Sequence, residues 1–261
     1  MTPEPDHRTA LVTGASSGLG VAFARELARR GWNLVLVARS EAPMQQLADE
    51  LRADGAMVQV HPLDLADAAA REALMANLAG AGVQIDALVN NAGFGVFGDF
   101  ADTDWARLES MLMVDVMALT HLTRLFLPGM RQRGYGRVLQ VASTGAFQPT
   151  PGYAAYAAAK SYVLAFSHAL DEELRGSGVH CTVVSPGVTA TRFLEVSGQR
   201  ATWYQRLTRM EAPAVARRGI DAMLAGRAGV ITGWVNALMA HSIRLTPRVL
   251  SARVAGRLMR N

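Results

Sequence analysis

Short apolar runs alternate with amphipathic stretches along this chain. Residues 9–13 (TALVT), 33–38 (NLVLVA), 57–61, 87–90, 138–142 and 180–185 are brief and largely apolar. Such runs leave no face for water, so they predict strands covered on both sides, as in a parallel sheet between helices. Residues 21–30, 44–53, 105–133 and 153–175 repeat apolar positions at helical spacing and predict helices. Alternation from start to end predicts one α/β domain, a Rossmann-type doubly wound parallel sheet with helices on both faces. No linker, repeat or low-complexity segment divides it. Residues 9–185 form the core of this domain. Residues 186–232 are less regular and predict a lid and a last strand. Residues 233–261 form an apolar tail dotted with arginine.

A chain of 261 residues, half of them hydrophobic and 18% charged, suits one large soluble domain. The net charge is only +4, and the surplus is local: residues 222–261 hold six arginines and no acid. The rest is slightly acidic, which excludes a broad nucleic-acid surface. Cys181 is the only cysteine, so no internal disulfide forms. The histidines are scattered and offer no metal-ligand spacing. The N-terminal residues are polar and proline-bearing, unlike a signal peptide. The charge-free run 138–159 is broken by prolines and glycines, unlike a membrane span. A cytoplasmic protein is expected.

The basic residues carry a sharper signal. Of 26, all but Lys160 are arginine. Lysine is a compact ammonium on a thin stem, which arginine cannot imitate. Lys160 stands four residues after Tyr156, one helical turn away on the same face. A nearby ammonium favours phenolate over phenol and suits the tyrosine to proton transfer. A glycine-rich run, TGASSGLG, spans residues 13–20 between the first strand and first helix. Gly14, Gly18 and Gly20 permit a tight turn and close approach to a pyrophosphate, which the helix N-terminus attracts. At the end of the second strand an acid would grip the ribose 2′-hydroxyl of NAD. Arg39 follows Ala38 there instead, suited to a 2′-phosphate, with Ser16 adding a hydroxyl. NADP(H) is the expected cofactor.

Together these residues resemble the short-chain dehydrogenase/reductase family in its classical form, over most of the chain. The resemblance runs through TGASSGLG, Asn90-Asn91-Ala92-Gly93, Ser143, Tyr156-x-x-x-Lys160 and Pro186-Gly187 with Thr189 and Thr191. It implies that Tyr156 exchanges a proton with the substrate oxygen, Ser143 holds that oxygen, and Lys160 lowers the tyrosine pKa and binds the nicotinamide ribose. It implies cofactor contacts from Gly14, Ser16, Ser17, Gly18, Leu19, Gly20, the Asn90–Gly93 motif, Pro186, Gly187, Thr189 and Thr191, with Asp64 and Leu65 at the adenine. It also implies a homodimer or homotetramer.

One position departs from the family pattern. The asparagine that helps hold a water in the proton relay is Asp115 here. Either an ionised Asp115 pulls Lys160 toward its charged form, or the helix carbonyl positions the water and the side chain is free to vary. The second reading is preferred, so Asp115→Asn is expected to change the rate less than tenfold.

Phe94, Phe147, Phe193 and Trp203 are expected to wall an apolar substrate pocket, with Tyr153 at its rim. The expected activity is reduction of a ketone, aldehyde or oxoacyl group, or the reverse oxidation. A nucleotide-sensing regulator without turnover is the alternative, and an epimerase or dehydratase acting through transient oxidation is a third. In the tail, Pro247 predicts a final helix with Leu250, Val254 and Leu258 on one face and Arg253, Arg257 and Arg260 on another. Packing of the apolar face on the core or on a partner is the preferred expectation; weak contact with a membrane surface is the other.

Overall fold

A computed structural model describes residues 8–243 and 245–259; the expectations for residues 1–7, Arg244 and Arg260 lie outside them. Seven parallel strands form one sheet in the order β3-β2-β1-β4-β5-β6-β7. They are β1 (Thr9–Thr13), β2 (Asn33–Ala38), β3 (Val58–Pro62), β4 (Ala87–Asn90), β5 (Gly136–Val141), β6 (Val179–Ser185) and β7 (Gly229–Ile231). The order reverses between β1 and β4, opening a crevice at the carboxyl ends of those strands, where doubly wound sheets bind ligands.

The strands are apolar throughout because both faces are covered. In β2, Leu34 and Leu36 join Phe23, Leu27 and Met44 in one core cluster. Val35 and Val37, pointing the other way, join Leu74, Leu88 and Leu122 in another. Helices α1 (Gly18–Ala28), α2 (Glu41–Ala53) and α9 (Ala212–Leu224) supply the first face. Helices α3 (Ala68–Gly80), α5 (Leu119–Arg133) and α6 (Ala154–Glu173) supply the second.

The stretch 105–133 is not one regular helix. It runs as α4 (Trp105–Leu112), a π-helical turn (Met113–Ala118) and α5. The π-turn carries Asp115 and turns it inward, fully buried. Extra residues of this kind recur at functional sites because they re-aim a side chain without breaking the helix. This stretch is apolar and long enough to cross a membrane. Its Leu122, Phe126 and Met130, however, pack with Leu88 and Val138 of the sheet.

After β6, in the stretch expected to form a lid, come two short helices, α7 (Phe193–Ser197) and α8 (Trp203–Leu207). The tail forms α10 (Trp234–Ile243) and α11 (Arg248–Met259). Helix α11 starts just after Pro247, as expected, but presents a different face to the protein. Ser251 and Ala255 are buried, whereas Leu250 and Val254 are 51% and 47% exposed. Small residues let the helix lie close, and the larger apolar side chains are left outside.

Candidate active site

The carboxyl ends of β1, β2, β4, β5 and β6 border a cavity of about 670 Å³. Its glycine-rich side is built by backbone geometry. Gly14 and Gly18 have φ of 66° and 56°, the left-handed region. A Cβ on Gly20 would stand 2.1 Å from the Gly14 carbonyl oxygen. Gly20 therefore does not line the cavity; it lets α1 begin against the turn. Gly20→Ala forces the two backbones apart and is expected to cost about 1–3 kcal/mol or more. Thermal unfolding checks this, and nucleotide affinity should fall with stability.

The structure brings to the cavity Gly14, Ser16, Ser17, Gly18, Leu19, Arg39, Asp64, Leu65, Asn91, Ala92, Gly93, Pro186, Gly187, Thr189 and Thr191. These residues fit a dinucleotide. Ser17, the N-cap of α1, makes no side-chain capping bond, which leaves first-turn N–H groups for an anion. Asn90 is absent from the lining. It is buried below, where its Nδ2 donates to Thr123 Oγ1 at 3.0 Å and ties β4 to α5. Asn91 Nδ2 donates to the Thr13 carbonyl at 2.9 Å, and Thr13 Oγ1 accepts from the N–H groups of Asn91 and Ala92 at 3.0 Å each. These bonds fasten the loop after β4 to the end of β1.

Ser143, Tyr156 and Lys160 lie at the far end of the same cavity. Ser143, two residues past the end of β5, caps a short 3₁₀ turn, its Oγ accepting from Gly145 N–H at 3.1 Å. Tyr156 and Lys160 are one turn apart on α6. Lys160 is 4% exposed; its Nζ donates to the Val141 carbonyl at 3.0 Å and lies 3.0 Å from Asp115 Oδ2. Asp115 Oδ1 accepts from Phe94 N–H at 3.0 Å. Gly93 admits this carboxylate, since a Cβ there would stand 2.8 Å from Oδ1.

The Asp115 side chain thus faces the candidate site rather than turning away from it. It touches the lysine and does not line the cavity. Burial raises its pKa, opposed by the Lys160 charge and by hydrogen bonds from Lys160 and Phe94. Burial first, then the Asp115 charge, push the Tyr156 phenol well above its usual range, while its bond to Ser143 pulls it back. The Lys160 ammonium is matched by Asp115 and sits 5.6 Å from the Tyr156 ring centre.

Phe94, Tyr153 and Phe193 line the cavity beside Tyr156. The Phe193 and Tyr153 rings are 5.3 and 5.6 Å from the Tyr156 ring. Phe147 and Trp203 do not line it. Phe147 packs on Leu119, Ala142 and Val163, and Trp203 is 68% exposed. Tyr153 is more than rim: its hydroxyl bonds Ser197 Oγ at 2.7 Å and Gln199 Oε1 at 3.1 Å. Burial pushes its phenol up to about 12. Gln199 in turn accepts from Gln205 Nε2 at 2.7 Å and donates to the Met259 carbonyl at 3.3 Å. This buried chain joins the start of α6, the lid and the end of α11.

Sequence reasoning missed the walls contributed by Arg107, Gln148, Gln205, Met239, Ile243 and Met259. None sits in a motif at a strand end. Gln148 follows the 3₁₀ turn after β5; the others reach the cavity because α4, α8 and the tail helices fold over it.

A family model described as short chain dehydrogenase matches residues 8–201. A ketoacyl reductase, HetN, of Nostoc sp. is 34% identical over 209 residues, covering 80% of this chain and 69% of that protein. A very-long-chain 3-oxoacyl-CoA reductase of Anas platyrhynchos is 34% identical over 196 residues, 72% of this chain; the chain spans only 62% of that relative's length. Among solved structures, a short-chain dehydrogenase from Sphingobium yanoikuyae in complex with NADPH superposes with a TM-score of 0.81. It is 31% identical, with 91% of this chain and 94% of that one covered.

Proposed function

This chain belongs to the short-chain dehydrogenase family, and on that premise we propose that it is an NADP(H)-dependent carbonyl reductase acting on an apolar ketone, with a 3-oxoacyl group as the leading class. One observation carries this reading. Ser143, Tyr156 and Lys160 line the same cavity as the glycine loop and Arg39. The ketoacyl and 3-oxoacyl activities named for two relatives support the substrate class. The NADPH bound to a similar structure supports the cofactor.

A bound nicotinamide dinucleotide would supply the hydride. The loop from Gly14 and the N-terminus of α1 would hold its pyrophosphate. Arg39, with Ser16 and Ser40 beside it, would pair the 2′-phosphate. Lys160 would hold the nicotinamide ribose. Ser143 would hydrogen-bond the substrate oxygen, and Tyr156 would give that oxygen a proton. Burial and the Asp115 charge keep the phenol protonated at neutral pH, the form needed to donate. Phe94, Phe193, Met239 and Met259 suit an apolar chain. Met117 on the π-turn and Tyr162 on α6 are exposed and leave apolar surface for the homodimer or homotetramer that the family resemblance implies.

The test is NADPH consumption against ketones, aldehydes, steroid-like rings and 3-oxoacyl thioesters, with NADH in parallel. Turnover with an oxoacyl substrate that prefers NADPH is expected. Tight NADPH binding without turnover on any of them would instead support a nucleotide sensor. Arg39→Ala separates the cofactor question. Losing a charge-assisted bond of about 1.5–3 kcal/mol raises KM for NADPH roughly 10- to 150-fold and leaves KM for NADH nearly unchanged.

A further inference from the structure

We propose that the outer face of α10 and α11 docks on an anionic lipid surface. The exposed apolar side chains of the tail are large and close together in the chain. Trp234 and Leu238, one turn apart on α10, are 78% and 64% exposed. Leu245, in the connection, is 90% exposed, and Val249 on α11 is 66% exposed. Leu250 and Val254 continue this face of α11. Soluble surfaces scatter such residues singly; six of them within residues 234–254 mark an interaction site.

The charge around this face identifies the partner. Arg248, Arg253 and Arg257 are exposed on α11 among the apolar residues. No aspartate or glutamate occurs anywhere in residues 222–261. A protein partner of ordinary composition would meet unmatched arginines. A sheet of anionic headgroups over acyl chains matches both features, with guanidinium groups at the phosphates and aliphatic side chains below them. Tryptophan at the end of such a helix suits the headgroup boundary. The inward sides of the two helices remain engaged with the protein. Asn236, Ala240, Ser251 and Ala255 are buried, and Met239, Ile243 and Met259 line the cavity. Docking therefore needs no unfolding, and it sets the cavity beside the lipid.

Co-sedimentation of the full chain with vesicles tests this without any reading of turnover, so its failure is separate from failure of the reductase assignment. The probes are phosphatidylcholine vesicles with and without phosphatidylserine, at low and high salt. The expected result is binding only to the anionic vesicles, weakening as salt rises. The double variant Leu245→Glu/Val249→Glu replaces two exposed residues outside the cavity. It should lose vesicle binding at least tenfold while its circular dichroism and nucleotide affinity stay unchanged. Two results would overturn the proposal. One is absence of binding to anionic vesicles at low salt. The other is protein self-association that the double variant abolishes while vesicle binding is unaffected, which would make the face an interface between copies.

Discussion

Replacing Tyr156 by phenylalanine should lower kcat for carbonyl reduction by about 10²- to 10⁴-fold, the usual worth of a positioned proton donor. The substitution removes one oxygen and keeps the ring, which is packed beside Phe193 and Tyr153. Stability should hardly change, and NADPH affinity by fluorescence titration should stay within about threefold, so the loss falls on the proton transfer. Tyr153, its ring 5.6 Å from that of Tyr156, is a second phenol beside the site. Its hydroxyl is already bonded to Ser197 and Gln199, and its pKa is pushed up to about 12. Turnover surviving at more than a tenth of the original rate would remove Tyr156 from the role of proton donor.

The second large effect is at Asp115. Asp115→Ala leaves the Lys160 ammonium buried with only the Val141 carbonyl as partner. Uncovering one half of a buried ion pair costs about 3–5 kcal/mol. In a chain of this size that lowers Tm by roughly 10 °C, at about 2–4 °C per kcal/mol. Asp115→Asn keeps the shape and an acceptor for Phe94 N–H, so its stability loss should be smaller. Its informative readout is the pH profile. The Asp115 carboxylate raises the Tyr156 pKa by disfavouring phenolate. Without it, phenolate forms at lower pH. Alcohol oxidation needs phenolate as base, so its pH profile should move toward lower pH in Asp115→Asn. A profile that does not move would confine Asp115 to positioning Lys160.

The fold was readable because burial on both faces leaves a plain mark. Runs such as NLVLVA cannot be surface strands, and the motifs at their carboxyl ends mark the crevice. Where the structure departs, a local pattern was asked to report a tertiary choice. Apolar spacing in 105–133 is compatible with an α-turn or a π-turn, and only the demand of Lys160 and Gly93 for the Asp115 carboxylate decides. In α11 the apolar stripe looked like the packed face. Close approach of the helix to the protein instead selected Ser251 and Ala255, which bulk-based patterning passes over. Phe147 and Trp203 were assigned by aromatic character alone; one fills the core beside α6 and the other faces solvent. The Gln199 chain had no signature, because its partners Tyr153, Gln205 and Met259 meet only after folding.

The burial of the single lysine has a practical consequence. A protease that cuts only after lysine has one target in this chain, at Lys160, inside the twenty-residue helix α6 and 4% exposed. Cleavage must wait for that helix to open. Where opening and closing are fast relative to cutting, the rate reports the free energy of opening at the active site. One band splitting into two on a gel would then measure how strongly any small molecule clamps the site, without the molecule's having to react.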